Sequence, residues 1–315
     1  MDAGFFRTRI EAAEAFRRRV VSGTDAYRVV HGEGDLLPAL IVDRYAAALV
    51  LQTLDQGMDR AKADIVAVLV ELFSPQAIVE RNDVSVRQLE ELPRHSGVIA
   101  GELSGAVVVR MNGLVLHADL LCGQKTGVFL DQRENYVAAA RFARGRALDC
   151  FTSTGGFALH LAARCETVEG IDSSAAALET ACRNRQANGI TNVEFREGDV
   201  FEVLGGLRAA RRYGTIVLDP PAFAKSRGNV EAAARGYKEI NLRALRLLEP
   251  GGILVSCSCS HHFSEAALLE VVASAALDAG RTVRVIERRT QAQDHPILLT
   301  VPETHYLKCL ILEAL

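Results

Sequence analysis

The stretch "RALDCFTSTGGFALHLAARC", residues 146–165, decides which fold this sequence predicts. Its first six residues read as a short strand, and the residues after Gly155 and Gly156 have the apolar spacing of a helix. Two glycines at such a turn let a helix N-terminus and its N–H groups come close to a ligand. The turn lacks the G-x-G-x-x-G spacing of a dinucleotide loop, which disfavours a nicotinamide oxidoreductase.

Downstream of this unit, predicted strands alternate with predicted helices. The strands are "TVEGID", "VEFREGD", "YGTIVLDPP" and "GGILVSCSCS", and the chain closes with "TVRVIERRT" and "HYLKCLILEA". The alternation predicts an α/β fold with an open parallel sheet and helices on both faces. Because no helix separates the last two strands, the final strand is expected to insert antiparallel.

The first part of the chain has a different pattern. A helix is predicted over 5–21, short alternating strands follow, and helical spacing returns over 59–73 before further strands. This pattern predicts a small α+β domain at 1–112, a candidate for RNA contact, ahead of a larger domain at 113–315.

Composition and charge indicate a globular cytoplasmic protein. The hydrophobic content is 49% with 24% charged residues, and no apolar stretch approaches the roughly 18 residues of a membrane span. Seven scattered cysteines favour a reducing compartment. The net charge of −3 does not indicate a nucleic-acid binder by itself, although arginine clusters at 141–146, 208–212 and 281–289 leave a local basic face open.

Carboxylates follow three successive predicted strands. Asp172 lies about 20 residues beyond the glycine turn, where an acid can accept hydrogen bonds from a ribose diol. Asp199 is placed to bind an adenine amino group, and Asp219 starts "DPPAF", whose prolines make a rigid lip because they fix φ and remove backbone donors. The carboxyl ends of parallel strands share one edge, so these residues predict a site for an adenosine-containing cofactor.

The motifs "LDCFTSTGGF", "GIDSS", "EGDVF", "LDPPAFAKS" and "GQKTGVFLDQREN" resemble those of the class I S-adenosylmethionine-dependent methyltransferases. More narrowly, they resemble the bacterial ribosomal RNA large-subunit cytosine-5 methyltransferase family. The resemblance covers nearly the whole chain, because residues 27–45 are similar to that family's central domain. It implies a Rossmann-like sheet, S-adenosylmethionine as cofactor, and 23S ribosomal RNA or a large-subunit assembly intermediate as partner; a homodimer is a further option.

The family pattern differs from this sequence at one end. Members of the family commonly begin with an RNA-binding domain of the PUA type, and this sequence starts where that domain would end. Two explanations stay open: the sequence is truncated, or the protein lacks this domain. The missing domain affects the expected RNA affinity and not the expected chemistry.

The resemblance also implies roles for individual residues. Phe151, Thr152, Gly155 and Gly156 would hold the methionine moiety, Asp172 the ribose and Asp199 the adenine. Further cofactor contacts are expected from Lys125, Gln132, Arg133 and Asp219.

The stretch "SCSCSHHF", residues 256–263, could by itself be a metal site, a redox pair, a nucleophile or a set of buried thiols. Cytosine C5 is a poor nucleophile until a thiolate adds to C6, so methylation at C5 requires a cysteine beside the methyl donor. Cys259 falls on the family's nucleophile, and Asp219 would stabilise the adduct at N3 of the base. Cys257 is interpreted as a packing residue.

Other features around this stretch stay open. The cysteine and histidine spacing does not fit a structural zinc site. His261 and His262 could lower the thiol pKa, contact RNA phosphate or cap a helix. Ala222 stands where many RNA cytosine-5 methyltransferases carry a second cysteine, so the group that removes the C5 proton is unidentified.

Two other functions remain compatible with the motifs. "DPPAF" resembles the D-P-P-Y/F signature of amino methyltransferases, which would act on a nitrogen such as guanine N7 and need no thiol. A cofactor-binding RNA assembly factor without catalysis is a further alternative.

Overall fold

The computed structural model describes residues 2–123, 126–207, 212–224 and 227–315. The chain divides into two compact units. The N-terminal unit contains the residues up to Asp131 together with Ala292–Thr304, and the C-terminal unit contains Gln132–Gln291 and His305–Leu315.

This division differs from the predicted boundary between residues 112 and 113. The Tyr45 and Thr126 hydroxyls lie 2.8 Å apart, and Thr126 Oγ1 donates to Asp43 at 2.6 Å, so the chain beyond 112 stays attached to the N-terminal unit. The returning segment is held because the amide of Arg28 donates to the Asp294 carboxylate at 2.9 Å. These are long-range contacts, which the local pattern does not reveal.

The N-terminal unit combines a mixed sheet with helices. In it, β1–β5 form one sheet in chain order, with only β3 and β4 parallel, and β6–β7 form a separate hairpin. The elements are α1 (Ala3–Val20), β1 (Ala26–His31), β2 (Leu40–Tyr45), β3 (Ala48–Thr53), α2 (Gln56–Arg60), α3 (Lys62–Phe73), β4 (Ala77–Asn82), β5 (His95–Gly101), β6 (Val107–Met111) and β7 (Leu114–Ala118).

Local sequence explains where these elements begin and turn. Asp2 caps α1 by accepting from the amide of Phe5, and Phe6 and Ile10 are buried one helical turn apart. The helix predicted over 59–73 is observed as two helices, α2 and α3, with Ala61 between them. Asn112 and Gly113 join β6 to β7 with φ of 53° and 86°, the left-handed values that a two-residue hairpin turn requires.

The C-terminal unit is the predicted α/β layer structure. Its elements are α4 (Arg133–Phe142), β8 (Arg146–Cys150), α5 (Gly156–Leu161), β9 (Thr167–Asp172), α6 (Ala175–Ala187), β10 (Val193–Glu197), α7 (Val200–Gly206), β11 (Tyr213–Leu218), α8 (Val230–Leu247), β12 (Leu248–Ser258), α9 (Glu265–Ala279), β13 (Val283–Arg289) and β14 (Lys308–Ala314).

The sheet order places a ligand site at one edge. The order is β10-β9-β8-β11-β12-β14-β13, with β8 to β12 parallel and β14 antiparallel between β12 and β13, so the predicted antiparallel insertion is confirmed. From β8 the chain adds strands first on one side, through β9 to β10, and then on the other side, beginning with β11. Open α/β sheets bind ligands at such a switch point, beyond the carboxyl ends of the strands. Within the described residues, no helix combines the length and apolarity needed to span a membrane.

Candidate active site at the carboxyl edge of the sheet

Strand register brings the predicted site residues to one edge of the C-terminal unit. Cys150 of β8 pairs with Ile171 of β9 and with Leu218 of β11, and Leu218 pairs with Ser256 of β12. The residues that follow these positions are the glycine turn, Asp172, Asp219 and Cys259. The edge therefore collects both the predicted cofactor loop and the predicted nucleophile.

The loop from Phe151 to Gly155 has an unusual backbone. Phe151 and Ser153 have φ of 64° and 49°, in the left-handed region that residues with a side chain rarely occupy, and Gly155 has φ of 88°. Such strained positions cluster at functional sites, where the surrounding structure holds them in place. The strain agrees with a ligand-binding turn at this position.

The two glycines of the turn are also required by packing. A Cβ on Gly156 would lie 2.5 Å from the Tyr136 ring and hydroxyl, and one on Gly155 would lie 3.0 Å from the ring of Phe195. Each glycine therefore admits a neighbouring aromatic side chain. This packing role was not recognised in the sequence.

Asp149, inside β8, is a site residue that the motif reading did not single out. Its Oδ2 accepts from the Thr152 hydroxyl at 2.5 Å and from the Ala158 amide at 2.9 Å. Its Oδ1 is fully buried, and no hydrogen-bond partner reaches it among the described residues. Burial, with smaller contributions from the charges of Asp219 and Asp172, raises the pKa of Asp149 to about 7. A carboxylate inside an apolar strand, "ALDC", was the signal available in the sequence.

Asp172 and Asp199 both have backbone partners. Asp172 accepts from the amides of Ser153 and Ser174, each at 2.9 Å, and so ties the loop after β8 to the end of β9. Asp199 Oδ1 caps α7 by accepting from the amides of Phe201 and Glu202 at 2.7 and 3.1 Å. These bonds are compatible with the predicted ribose and adenine contacts, because each carboxylate oxygen can accept more than one hydrogen bond.

Gln132 contacts the candidate catalytic acid directly. Its Nε2 donates to Asp219 Oδ1 at 3.0 Å, while its Oε1 accepts from Asn135 Nδ2 at 2.7 Å. Asn135 is in turn held by Arg289, whose Nε donates to Asn135 Oδ1 at 2.9 Å. A hydrogen-bonded chain therefore runs from the end of β13 to Asp219 and fixes the orientation of its carboxylate.

The remaining predicted cofactor contacts have different outcomes. Arg133 is buried and donates to Glu134 at 3.4 Å. Lys125 lies outside the described residues. Both assignments stay predictions.

The charges at this edge discriminate between cofactor classes. Asp149, Asp172 and Asp219 are near enough that the latter two raise the pKa of the first. Such a group of carboxylates repels the pyrophosphate of a dinucleotide and attracts a cation. S-adenosylmethionine carries a sulfonium and an ammonium group, and the unpaired oxygen of Asp149 suits an ammonium donor. The residues therefore fit this cofactor.

Cys259 lies just beyond β12, beside the double proline. Its side chain is half-buried, and Sγ is 4.0 Å from the carbonyl oxygen of Pro220, the residue after Asp219. The thiol therefore lies beside the segment "DPPAF", which follows the neighbouring strand β11.

Three neighbouring elements fix the segment that carries Cys259. The Tyr237 hydroxyl of α8 lies 2.8 Å from Ser258 Oγ and 3.1 Å from Ser260 Oγ. Ser260 Oγ accepts from the amide of Ala224, and Lys308 Nζ of β14 donates to the Ser260 carbonyl at 2.7 Å. The sequence reading missed these partners, because they come from distant parts of the chain.

The other residues of "SCSCSHHF" have different surroundings. Cys257 is fully buried opposite Cys309 of β14, in agreement with a packing role. His261 is exposed and stacks on Tyr306 with ring centroids 5.3 Å apart. In the part of the chain that the structure describes, no three His, Cys, Asp or Glu side chains are grouped to hold a metal ion.

The sheet order, the strained loop and the acidic cofactor edge define a class I methyltransferase. A family model for S-adenosylmethionine-dependent methyltransferases matches residues 86–311, and the chain belongs to this family. S-adenosylmethionine is its cofactor.

The curated relatives share a narrower name. The chain is 43% identical over 319 residues to ribosomal RNA large subunit methyltransferase I of Shewanella amazonensis, covering 99% of this chain and 81% of that protein. It is 40% identical over 316 residues to the protein of the same name from Klebsiella pneumoniae, covering 98% and 79%.

Solved structures support the fold. A Streptococcus mutans protein classed as a SAM-dependent methyltransferase aligns with a TM-score of 0.86 at 19% identity, covering 99% of this chain and 82% of that one. A methyltransferase structure with bound SAH aligns with the same TM-score at 17% identity and the same coverage.

Proposed function

We propose that this enzyme transfers a methyl group to C5 of a cytosine in 23S ribosomal RNA through a covalent bond between Cys259 and C6. The names of the relatives support large-subunit ribosomal RNA as the substrate. The substrate proposed here is naked 23S RNA or a large-subunit assembly intermediate, and the proposed place of action is the cytoplasm. The observation that carries the proposal is the Cys259 thiol, half-buried beside Pro220 at the cofactor edge. The proposal does not depend on a homodimer.

The chemistry explains why a thiol is needed there. The Cys259 thiolate adds to C6, and the electron pair of the C5–C6 double bond makes C5 nucleophilic. When bound, S-adenosylmethionine supplies the electrophilic methyl group. Loss of the C5 proton then restores the double bond and expels the thiolate.

Asp219 is proposed to contact the target cytosine. In its protonated form, the carboxyl group would donate a hydrogen bond to N3 and stabilise the negative charge that develops on the ring when the thiolate adds. Gln132 holds this carboxyl in place through Oδ1. Asp219 therefore acts on the adduct, while the group that accepts the C5 proton is still unassigned.

The target cytosine has to unstack from its RNA helix so that C6 reaches the Cys259 thiolate and C5 reaches the methyl group. An unpaired loop or an incompletely folded assembly intermediate suits this requirement, because unstacking then costs less free energy. The exposed ring of His261, two residues after the thiol, offers a surface on which a base can stack.

Nucleoside analysis of the product tests the proposal. The protein is incubated with labelled S-adenosylmethionine and 23S RNA or large-subunit particles, and the RNA is digested for mass spectrometry. We expect 5-methylcytidine from the native protein and from Cys122→Ala, which removes an exposed thiol. We expect at least a thousandfold loss in Cys259→Ala, because the uncatalysed C5 is nearly unreactive.

Other products would contradict the proposal in recognisable ways. 7-Methylguanosine, formed equally by Cys259→Ala, would indicate the nitrogen methyltransferase that "DPPAF" left open. Cofactor binding without methyl transfer to either substrate would favour a non-catalytic assembly factor.

A further inference from the structure

Lys308, the first residue of β14, is buried at the side of the Cys259 segment. Only 2% of its surface is exposed. Nζ donates to the carbonyls of Ser260 and Tyr306 at 2.7 and 2.8 Å, and the backbone of Lys308 pairs with Ser258 of β12. Lysine is almost never this buried unless its charge is compensated, and both of these acceptors are neutral.

Two groups near Lys308 can compensate its charge. The thiolate form of Cys259 and the carboxylate of Glu265, in the first turn of α9, both interact favourably with the ammonium and raise its pKa. Glu265 also has another cation, since Arg288 Nη1 lies 3.6 Å away. Burial has the larger effect and lowers the pKa of Lys308 to about 8, which leaves it mostly protonated at neutral pH.

Two other ionisable groups among the described residues near the thiol are Tyr237 and Asp219, and neither supplies a positive charge. Tyr237 of α8 is fully buried, and burial raises the pKa of its hydroxyl, which keeps it protonated. Asp219, after β11, is next to Pro220 and disfavours a thiolate when ionised. An ionised Asp219 opposes ionisation of the thiol, whereas a nearby cation favours it.

We propose that Lys308 is a positioning residue whose buried ammonium stabilises the thiolate of Cys259 and whose hydrogen bond to Ser260 fixes the peptide that follows it. The inference rests on the proposed function, in which that thiolate is the nucleophile. An opposite charge close to a thiol favours its ionised form, and the effect is strong where water is excluded.

Lys308 is better placed for this role than the two histidines that the sequence left open. His261 and His262 are exposed, so solvent screens their charge. The lysine is buried, and its ammonium is held by two main-chain carbonyls that cannot rotate away.

The test is the pH profile of Cys259 alkylation. Iodoacetamide labelling is followed by mass spectrometry with fragmentation that separates Cys259 from Cys257, without cofactor or RNA. Lys308→Met removes the charge and the hydrogen bonds, whereas Lys308→Gln keeps N–H donors without the charge. The same changes at Lys238, a partly exposed lysine of α8 paired with Asp278, are the controls.

For the native protein, we expect the midpoint of the Cys259 alkylation profile to lie below pH 8.5, because about 8.5 is the ordinary pKa of a thiol. Both Lys308 variants should raise it by at least about one pH unit, which slows alkylation at pH 7 about tenfold. The Lys238 variants should leave the profile unchanged.

Two results would overturn the inference. One is a native midpoint at or above about 8.5, a measurement that does not depend on any variant folding. The other is an unshifted profile in Lys308→Gln, which would assign the role of Lys308 to hydrogen bonding alone. Methylation that survives in Cys259→Ala would refute the proposed function instead, and the alkylation profile would still report on Lys308.

Discussion

At the scale of single residues, Asp149 is expected to link the stability of the protein to cofactor binding. Burial raises its pKa from 3.8 to about 7, so the folded protein holds a proton that the unfolded chain releases between those values. Its contribution to stability is therefore complete below pH 4 and is lost as the pH rises through 7. A bound cation would compensate the ionised form.

Asp149→Asn is expected to remove this pH dependence. The ligand-free native protein should lose on the order of 2–4 kcal/mol of unfolding free energy between pH 4 and 8 from this group, and the variant should not. Native affinity for S-adenosylmethionine should rise as the pH passes 7, whereas the variant should bind at least tenfold more weakly at pH 8. Urea unfolding measures the free energy of unfolding, and isothermal titration measures the affinity for S-adenosylmethionine. A native affinity that does not change across pH 7 would contradict the role of Asp149 in cofactor binding.

The order of the strands in the sequence predicted that some residues of the candidate site share one edge of the sheet, but it did not indicate others. Asp172, Asp199, Asp219 and Cys259 follow parallel strands, and strand order alone brings such residues to one edge. Lys308 could not be found in this way, because its role depends on an antiparallel register between β12 and a strand about fifty residues later along the chain.

At the scale of elements, the turn between β8 and α5 is shaped by side-chain packing as well as by ligand access. Gly156 faces Tyr136 of α4, whose ring also packs edge-to-face on Phe157 with centroids 4.7 Å apart. The glycine was predicted from its position in the motif. The reason that it must be glycine depends on a helix that precedes the strand.

Gly156→Ala should therefore destabilise the protein. Overpacking at a tight contact costs about 1–3 kcal/mol, and the added methyl would displace Tyr136. Gly206→Ala is the matched control, since a Cβ there meets nothing within 4 Å and alanine favours the helical backbone of α7. Thermal unfolding of both variants tests this. Equal stability of the two would show that Tyr136 moves aside without cost.

The same scale shows which elements could be predicted. The insertion of β14 followed from the absence of a helix between the last two strands. The prediction over 59–73 missed the start at Gln56, where the Asp55 side chain caps α2 by accepting from the amide of Met58 at 2.7 Å. Aspartate is a common N-cap residue, so Asp55 was a signal for that earlier start.

At the scale of the whole molecule, the chain order and the structural units do not coincide. Residues 292–304 belong to the N-terminal unit although they separate two strands of the C-terminal sheet. The amide of Ala292 donates to the carbonyl of Asp131 at 2.8 Å, where the chain first leaves the N-terminal unit. Such a return depends on long-range hydrogen bonds, so neither composition nor periodicity predicts it.

The most direct test of the central claim uses RNA in which the target cytidine is replaced by 5-fluorocytidine. Fluorine at C5 cannot leave as a proton does, so after methyl transfer the thiolate remains bonded to C6. We predict a protein–RNA adduct that survives denaturation, requires S-adenosylmethionine, maps to Cys259 by mass spectrometry, and is absent in Cys259→Ala but present in Cys122→Ala. Methyl transfer to unmodified RNA without any adduct on the fluorinated RNA, or an adduct at another cysteine, would contradict the account.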